Sequence, residues 1–155
     1  LMKFKPTILR GNRSEIMAVA GLSGGGQGVD STSTSNDALD AAISIAKNNK
    51  IIVAVTGAID YVTDGHVTYA IEGGHEMMTK VTATGCALTC LIGAAIAVGE
   101  NEALSTASII GIYGLAGEMA SKVSSGPGSL RMNLLDNLYN ISTDEIISNV
   151  KIKNV

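Results

Sequence analysis

The stretch NNKIIVAVTGAIDYVTDGHVTYAI, residues 48–71, decides the fold class. After Asn48-Asn49 comes an unbroken apolar run, residues 51–55, closed by Thr56-Gly57. A short run of this kind reads as a buried strand covered on both faces, as in parallel sheets. Residues 61–63 and 66–71 then flank Asp64-Gly65, a strong hairpin signal. Upstream, residues 7–9 read as a short strand after Pro6, followed by a helix over 14–20 that Ser14 or Asn12 would cap. A second helix is expected over 37–47, where Ala38, Leu39, Ala42, Ile43 and Ile45-Ala46 recur at the helical period, with Asn36 or Ser35 as cap. Between the two helices lies GLSGGGQGVDSTSTSND, residues 21–37. It has no periodicity and reads either as a surface loop or as a loop ordered by a ligand.

Downstream of the hairpin a polar loop, EGGHEMMTKV, leads into VTATGCALTCLIGAAIAVG, residues 81–99. Helices are expected over 85–98, 102–121 and 128–138, the last two separated by Gly126-Pro127-Gly128. The tail after Ser142 is expected to form a short helix or strand. The order is strand, helix, helix, strand, hairpin and three helices, a layered α/β pattern. Its strands are few for so many helices, so the chain reads as one part of a larger fold.

Composition narrows the class further. The 155 residues suit one domain, and hydrophobic residues make up 46% against 16% charged, which excludes a disordered chain. With no Trp, one Phe and 18 Gly, the core must be aliphatic with close backbone approaches. The net charge of −3, without a Lys/Arg cluster, argues against a nucleic-acid surface. Cys86 and Cys90 stand one helical turn apart, where a mutual disulfide would be strained. Two reduced thiols and no signal peptide lead to the expectation of a cytoplasmic protein. Residues 87–98 are apolar but too few to cross a bilayer, so no membrane partner is expected.

Several residues carry chemistry, each with a plainer alternative. A tight turn at 81–86 opening a helix would point unpaired amides outward, an arrangement that binds phosphate. Cys86 there would have a lowered pKa and could accept a proton; the alternative is a small buried residue at a helix start. Cys90, one turn on, reads as core. Asn12 and Glu15, spaced N-x-x-E at a strand-to-helix turn, would organise a hydrated Mg²⁺ or form a helix cap. Arg10 precedes them at a strand's C-terminal end, where open α/β sheets bind ligands; the alternative is a surface salt bridge. Thr56 could touch a phosphate or simply end its strand. Asp60 reads as solvated, His66 and His75 as surface residues, and Met77-Met78 as packing.

Taken together and in order, KPTILRGNRSEIMAVAG, GGGQGVDST, VAVTGAIDYVTDG, MTKVTATGCALTCLIGA and GPGSLRMNLLDNLYN resemble the hydroxyethylthiazole kinase family of the ribokinase-like superfamily. The resemblance covers nearly the whole chain. It implies a kinase that moves the γ-phosphate of ATP to the hydroxyl of 4-methyl-5-(2-hydroxyethyl)thiazole with Mg²⁺, in a homotrimer with active sites between subunits. It implies a ribokinase-like layered fold with a mainly parallel central sheet flanked by helices. Residues 1–155 would be the C-terminal part of one kinase domain, lacking its N-terminal strands and needing that part for the substrate pocket. Arg10 and Thr56 match ATP-contacting positions, and Asn12 and Glu15 match the residues that organise Mg²⁺ and phosphate. Ala83, Thr84, Gly85 and Cys86 match the anion-hole turn, with Ala83 at a substrate-contacting position. Cys86 matches the catalytic base, where most of the superfamily carries Asp.

The chain departs from the family's pattern at three positions. Ala83 stands where Gly is usual and would be strained if that residue needs positive φ. Gln27 stands where Arg is common, and Ala58 where Glu is frequent. Other readings are a related kinase such as hydroxymethylpyrimidine kinase, a nucleotide-dependent hydrate dehydratase, or a non-catalytic nucleotide-binding or assembly subunit. Cys86 argues against the first two of these, and the missing N-terminal half together with Ala83 motivates the last.

Overall fold

The computed structural model describes residues 2–22 and 34–155. Gln27 and most of the Gly-rich 21–37 segment lie outside them. The described elements are β1 (Ile8–Asn12), α1 (Arg13–Val19), α2 (Thr34–Asn49), β2 (Ile52–Thr56), β3 (Asp60–Thr63), β4 (Thr68–Glu72), α3 (Thr84–Val98), α4 (Glu102–Lys122), α5 (Pro127–Asn140), α6 (Thr143–Asn149) and β5 (Lys151–Asn154), with 3₁₀ turns at Met2–Phe4 and Glu76–Lys80. One five-stranded sheet runs β1-β2-β3-β4-β5. The chain divides into two compact units, residues 1–70 with 154–155, and residues 71–153.

The first unit is built around the apolar run. β1 pairs parallel with β2, Ile8 opposite Ile52 through Asn12 opposite Thr56. β2 pairs antiparallel with β3, Val53 opposite Thr63 and Val55 opposite Tyr61. The sheet is therefore mixed, not mainly parallel as expected, because the short turn at residues 57–59 returns β3 beside β2. β1 extends past Leu9 to Asn12, because Arg10, Gly11 and Asn12 all find register partners on β2. Ile51 to Val55 are all buried, as a continuous apolar strand requires. Val53 and Val55 meet Ile16 of α1 and Ala42, Ile45 and Ala46 of α2, with Leu9 and Tyr61 packed against the cluster. α2 begins at Thr34, ahead of both expected caps. The hairpin turn is longer than two residues. Asp64 Oδ1 accepts from the amides of His66 and Val67, which takes His66 out of the strand.

The second unit centres on α4, which packs against α3, α5 and α6. Ala107, Ile110, Ala116 and Ala120 of α4 are buried, as are Leu130 and Leu134 of α5. Met78 fills the space beside Gly117, where a Cβ would overlap its sulfur, so the methionine packs as expected. The tail forms both a helix and a strand. α6 starts with a Ser142–Glu145 capping box, and β5 is tied to β4 by the Lys153–Glu72 ion pair at 2.7 Å. Among the described residues α4 alone is long and apolar enough to cross a membrane, and 56% of its most apolar stretch is buried. α3 is apolar on every face, yet only Leu88 and Ile92 are buried. Cys90 is exposed, which corrects its reading as core, and Cys86 is exposed as well. With no polar face on α3, periodicity could not say which side would turn inward.

Candidate functional site

In the first unit the register of β1 and β2 brings Arg10, Asn12 and Thr56 to one end of the parallel pair. Arg10 Nη2 donates to Thr56 Oγ1 at 2.8 Å, and Thr56 Oγ1 reaches Gly11 O at 3.4 Å. The salt-bridge alternative for Arg10 is not what forms, since the guanidinium bonds a neighbouring strand's hydroxyl. Its Nε is buried without an acceptor among the described residues, so the group carries more donors than its surroundings satisfy.

Asn12 and Glu15 form a capping box on α1. Asn12 Oδ1 accepts from the Glu15 amide at 3.0 Å and from Ser14 Oγ at 2.8 Å, and Glu15 Oε2 accepts from the Asn12 amide at 2.6 Å. The capping alternative is thus realised. Both side chains remain exposed, and Glu15 Oε1 has no partner among the described residues. That oxygen fits a hydrated cation held through water. A direct protein cage does not fit, because no three metal-binding side chains cluster among the described residues.

Asp60 is half-buried rather than freely solvated as expected. Its Oδ1 accepts from the Gly57 amide at 2.8 Å, closing the turn after β2. Burial pushes its pKa up to about 6, against the opposing pull of that hydrogen bond and of the Arg10 charge. The Thr-Gly-x-x-Asp spacing, an acceptor three residues past an unpaired amide, was the signal for it. Beside this cluster Asn12, Arg13, Ser14, Met17 and Thr56 line an open cavity of about 590 Å³. Arg13 and Met17 were not singled out in the sequence. Ala58 is exposed in the same turn, and nothing in the structure explains its departure from Glu.

In the second unit the 81–86 segment makes the expected tight turn into α3. Ala83 is its N-cap with φ 71° and ψ 7°, left-handed backbone that glycine adopts freely and alanine does not. An alanine side chain cannot cap, and the amides of Thr84, Gly85 and Cys86 find no acceptor among the described residues. Thr84 locks the turn: its Oγ1 donates to Val81 O at 3.1 Å and Met78 O at 3.3 Å, and its carbonyl accepts from Tyr113 Oη at 3.0 Å. Cys86 is a free, exposed thiol beside those open amides, so its alternative as a buried spacer does not hold. His75 caps the preceding 3₁₀ turn, accepting from the Met77 amide at 3.2 Å, and is exposed, as is His66. Ala83→Gly should stabilise the chain by about 1 kcal/mol by removing left-handed strain. Urea midpoints of the two proteins check this, and no gain would mean that the turn relaxes elsewhere at no penalty.

Comparison with known proteins gives a consistent picture. The family model for the hydroxyethylthiazole kinase family matches residues 1–144. The hydroxyethylthiazole kinase of Leptospira interrogans is 46% identical over 145 residues, covering 94% of this chain and 55% of its own length. That of Granulibacter bethesdensis is 50% identical over 139 residues, covering 90% and 51%. That of Arabidopsis thaliana is 41% identical over 154 residues, covering 98% and 56%. The solved hydroxyethylthiazole kinase structure from Pyrococcus horikoshii OT3 superposes with a TM-score of 0.87 at 34% identity, covering 99% of this chain and 57% of that one. The chain therefore spans slightly more than half the length of the relatives it matches.

Proposed function

The chain belongs to the hydroxyethylthiazole kinase family, and from this we propose that it serves ATP-dependent phosphorylation of 4-methyl-5-(2-hydroxyethyl)thiazole as the C-terminal part of a ribokinase-like kinase domain. In this reading Arg10 and Thr56 bind ATP. Ala83 contacts the thiazole, and the turn Ala83-Thr84-Gly85-Cys86 is the anion hole. Asn12 and Glu15 hold Mg²⁺ through water, and the ion supplies charge neutralisation to the phosphates. The partner is a small-molecule alcohol. The assembly is a homotrimer in the cytoplasm that needs the relatives' N-terminal part to complete the substrate pocket, with no role for nucleic acid or a membrane.

The observation that supports this most is the set of open amides at Thr84, Gly85 and Cys86 beside an exposed thiol. In phosphoryl transfer the charge sits on the equatorial oxygens of a loose transition state, so oriented donors contribute more than covalent chemistry does. The amides hold the moving phosphoryl group. The alcohol oxygen forms the new P–O bond while the bond to the ADP leaving oxygen breaks, and the hydroxyl proton passes to Cys86 acting as the base. Because such a transition state asks little of a base, the thiol's contribution is modest.

The test is phosphorylation of the thiazole alcohol by this chain mixed with a matching N-terminal part. Activity is the expected result, and Cys86→Ser should turn over about tenfold more slowly with an unchanged ATP dissociation constant. Unchanged turnover would remove Cys86 from the mechanism. Nucleotide binding without turnover in the mixture would replace the kinase reading with that of a non-catalytic subunit.

A further inference from the structure

We propose that Arg13 is a further nucleotide-binding residue, a second cation that engages the polyphosphate of ATP in the cavity beside Arg10 and Thr56. The inference rests on the nucleotide assignment of that cavity and extends it to a residue that the resemblance did not supply. Five described residues line the cavity, Asn12, Arg13, Ser14, Met17 and Thr56, and of these Arg13 alone carries a charge. Its volume of about 590 Å³ is of the size that takes a nucleotide-sized ligand. No carboxylate is among the described residues that line it, so their field favours an anion.

Nothing among the described residues accounts for a cation at this position. The ion pair among the described residues is Lys153 with Glu72, in the other unit, and Arg13 pairs with no described carboxylate. Glu15, two residues on, is committed through Oε2 to the Asn12 amide. Arg13 is also the first residue of α1, where the helix electrostatics favour anions over cations. Its side chain is exposed, so no apolar packing explains it. Arg10, by contrast, is partly spoken for. It donates to Thr56 Oγ1, and its charge also acts on the nearby half-buried Asp60 carboxylate. The cavity therefore has the Arg13 guanidinium exposed on its wall, while the Arg10 guanidinium is held against Thr56 of β2 beside it. A guanidinium presents a planar fork of donors suited to phosphate oxygens, and this one gives up no ion pair with a described carboxylate to make the contact.

The experiment compares dissociation constants for ATP and for uncharged adenosine, using this chain with a matching N-terminal part. The proteins are the unaltered chain, Arg13→Ala, Arg13→Lys and Thr56→Val, each at low and high salt. Arg13→Ala should weaken ATP binding about tenfold at low salt, as expected for loss of one charge-assisted phosphate contact. The difference should shrink at high salt. Adenosine binding should be unmoved, and Arg13→Lys should recover most of the loss. A structural role would affect both ligands alike and would not follow salt. ATP binding that Thr56→Val weakens and Arg13→Ala does not would overturn the assignment of Arg13 alone. Absence of ATP binding by the unaltered chain would overturn the nucleotide reading and this inference together.

Discussion

Gly65→Ala should remove roughly 3 kcal/mol of folding stability, the combined effect of left-handed strain and overpacking against backbone. Gly65 has φ of 89°, where an L side chain is strained whatever the space around it. Space is also lacking: a Cβ would sit 2.7 Å from both the Lys47 nitrogen and the Lys47 Cα in the last turn of α2. Those are backbone atoms and cannot rotate away. The turn cannot retreat easily either. The Gly65 amide donates to Thr63 Oγ1 at 3.0 Å, and Thr63 Oγ1 donates to Val67 O at 2.9 Å. Thr63 is fully buried and its Oγ1 also accepts from Thr68 Oγ1 at 3.0 Å, so moving the turn disturbs a buried hydroxyl network. Urea unfolding checks the expectation through a lowered midpoint at unchanged slope. A midpoint within experimental error of the parent would mean that α2 and the turn are not in contact as described.

The Asp64-Gly65 pair announced a hairpin, and a hairpin is there, but the pair did not disclose the turn's length. Asp64 caps two successive amides at once, and such a bond depends on χ angles that no spacing encodes. The run at 51–55 was legible because burial on both faces leaves a composition with no alternation to misread. β5 was not, because Lys-Ile-Lys-Asn carries one apolar residue, and its place beside β4 is set by long-range pairing. Asn12 and Glu15 were ambiguous for a physical reason: the N-x-x-E spacing that closes a capping box also presents a carboxylate at a strand end. The structure builds the box and leaves one carboxylate oxygen over. Ala83 shows the opposite case. A single residue out of pattern led to a conditional statement about strain, and a φ of 71° meets the condition. Arg13 escaped notice because its meaning comes from the cavity beside it, which sequence does not draw.

Asp60→Asn should raise stability at neutral pH and flatten its dependence on pH. Burial lifts the Asp60 carboxyl from 3.8 to about 6 in the folded chain. The folded state thus binds this proton more tightly than the unfolded state does. The group therefore favours folding most when the pH is below the unfolded value. That advantage is lost as pH rises through the interval from 3.8 to about 6. Above it the half-buried charge is a constant penalty, at most about 3 kcal/mol by linkage and less where the turn admits water. Asparagine keeps an oxygen to accept the Gly57 amide and discards the charge, so the turn should survive. It also discards the attraction to Arg10, which offsets part of the gain, so an increase of about 1–2 kcal/mol near pH 7.5 is expected. Urea midpoints at pH 4.5 and 7.5 should differ less for the variant than for the parent. A variant that is less stable than the parent at pH 7.5 would show that the Arg10 attraction outweighs desolvation, reversing the sign. A half-buried carboxylate that opposes folding, set beside the guanidinium proposed to meet ATP, is the kind of unfavourable charge that a binding site retains and a purely structural turn would lose.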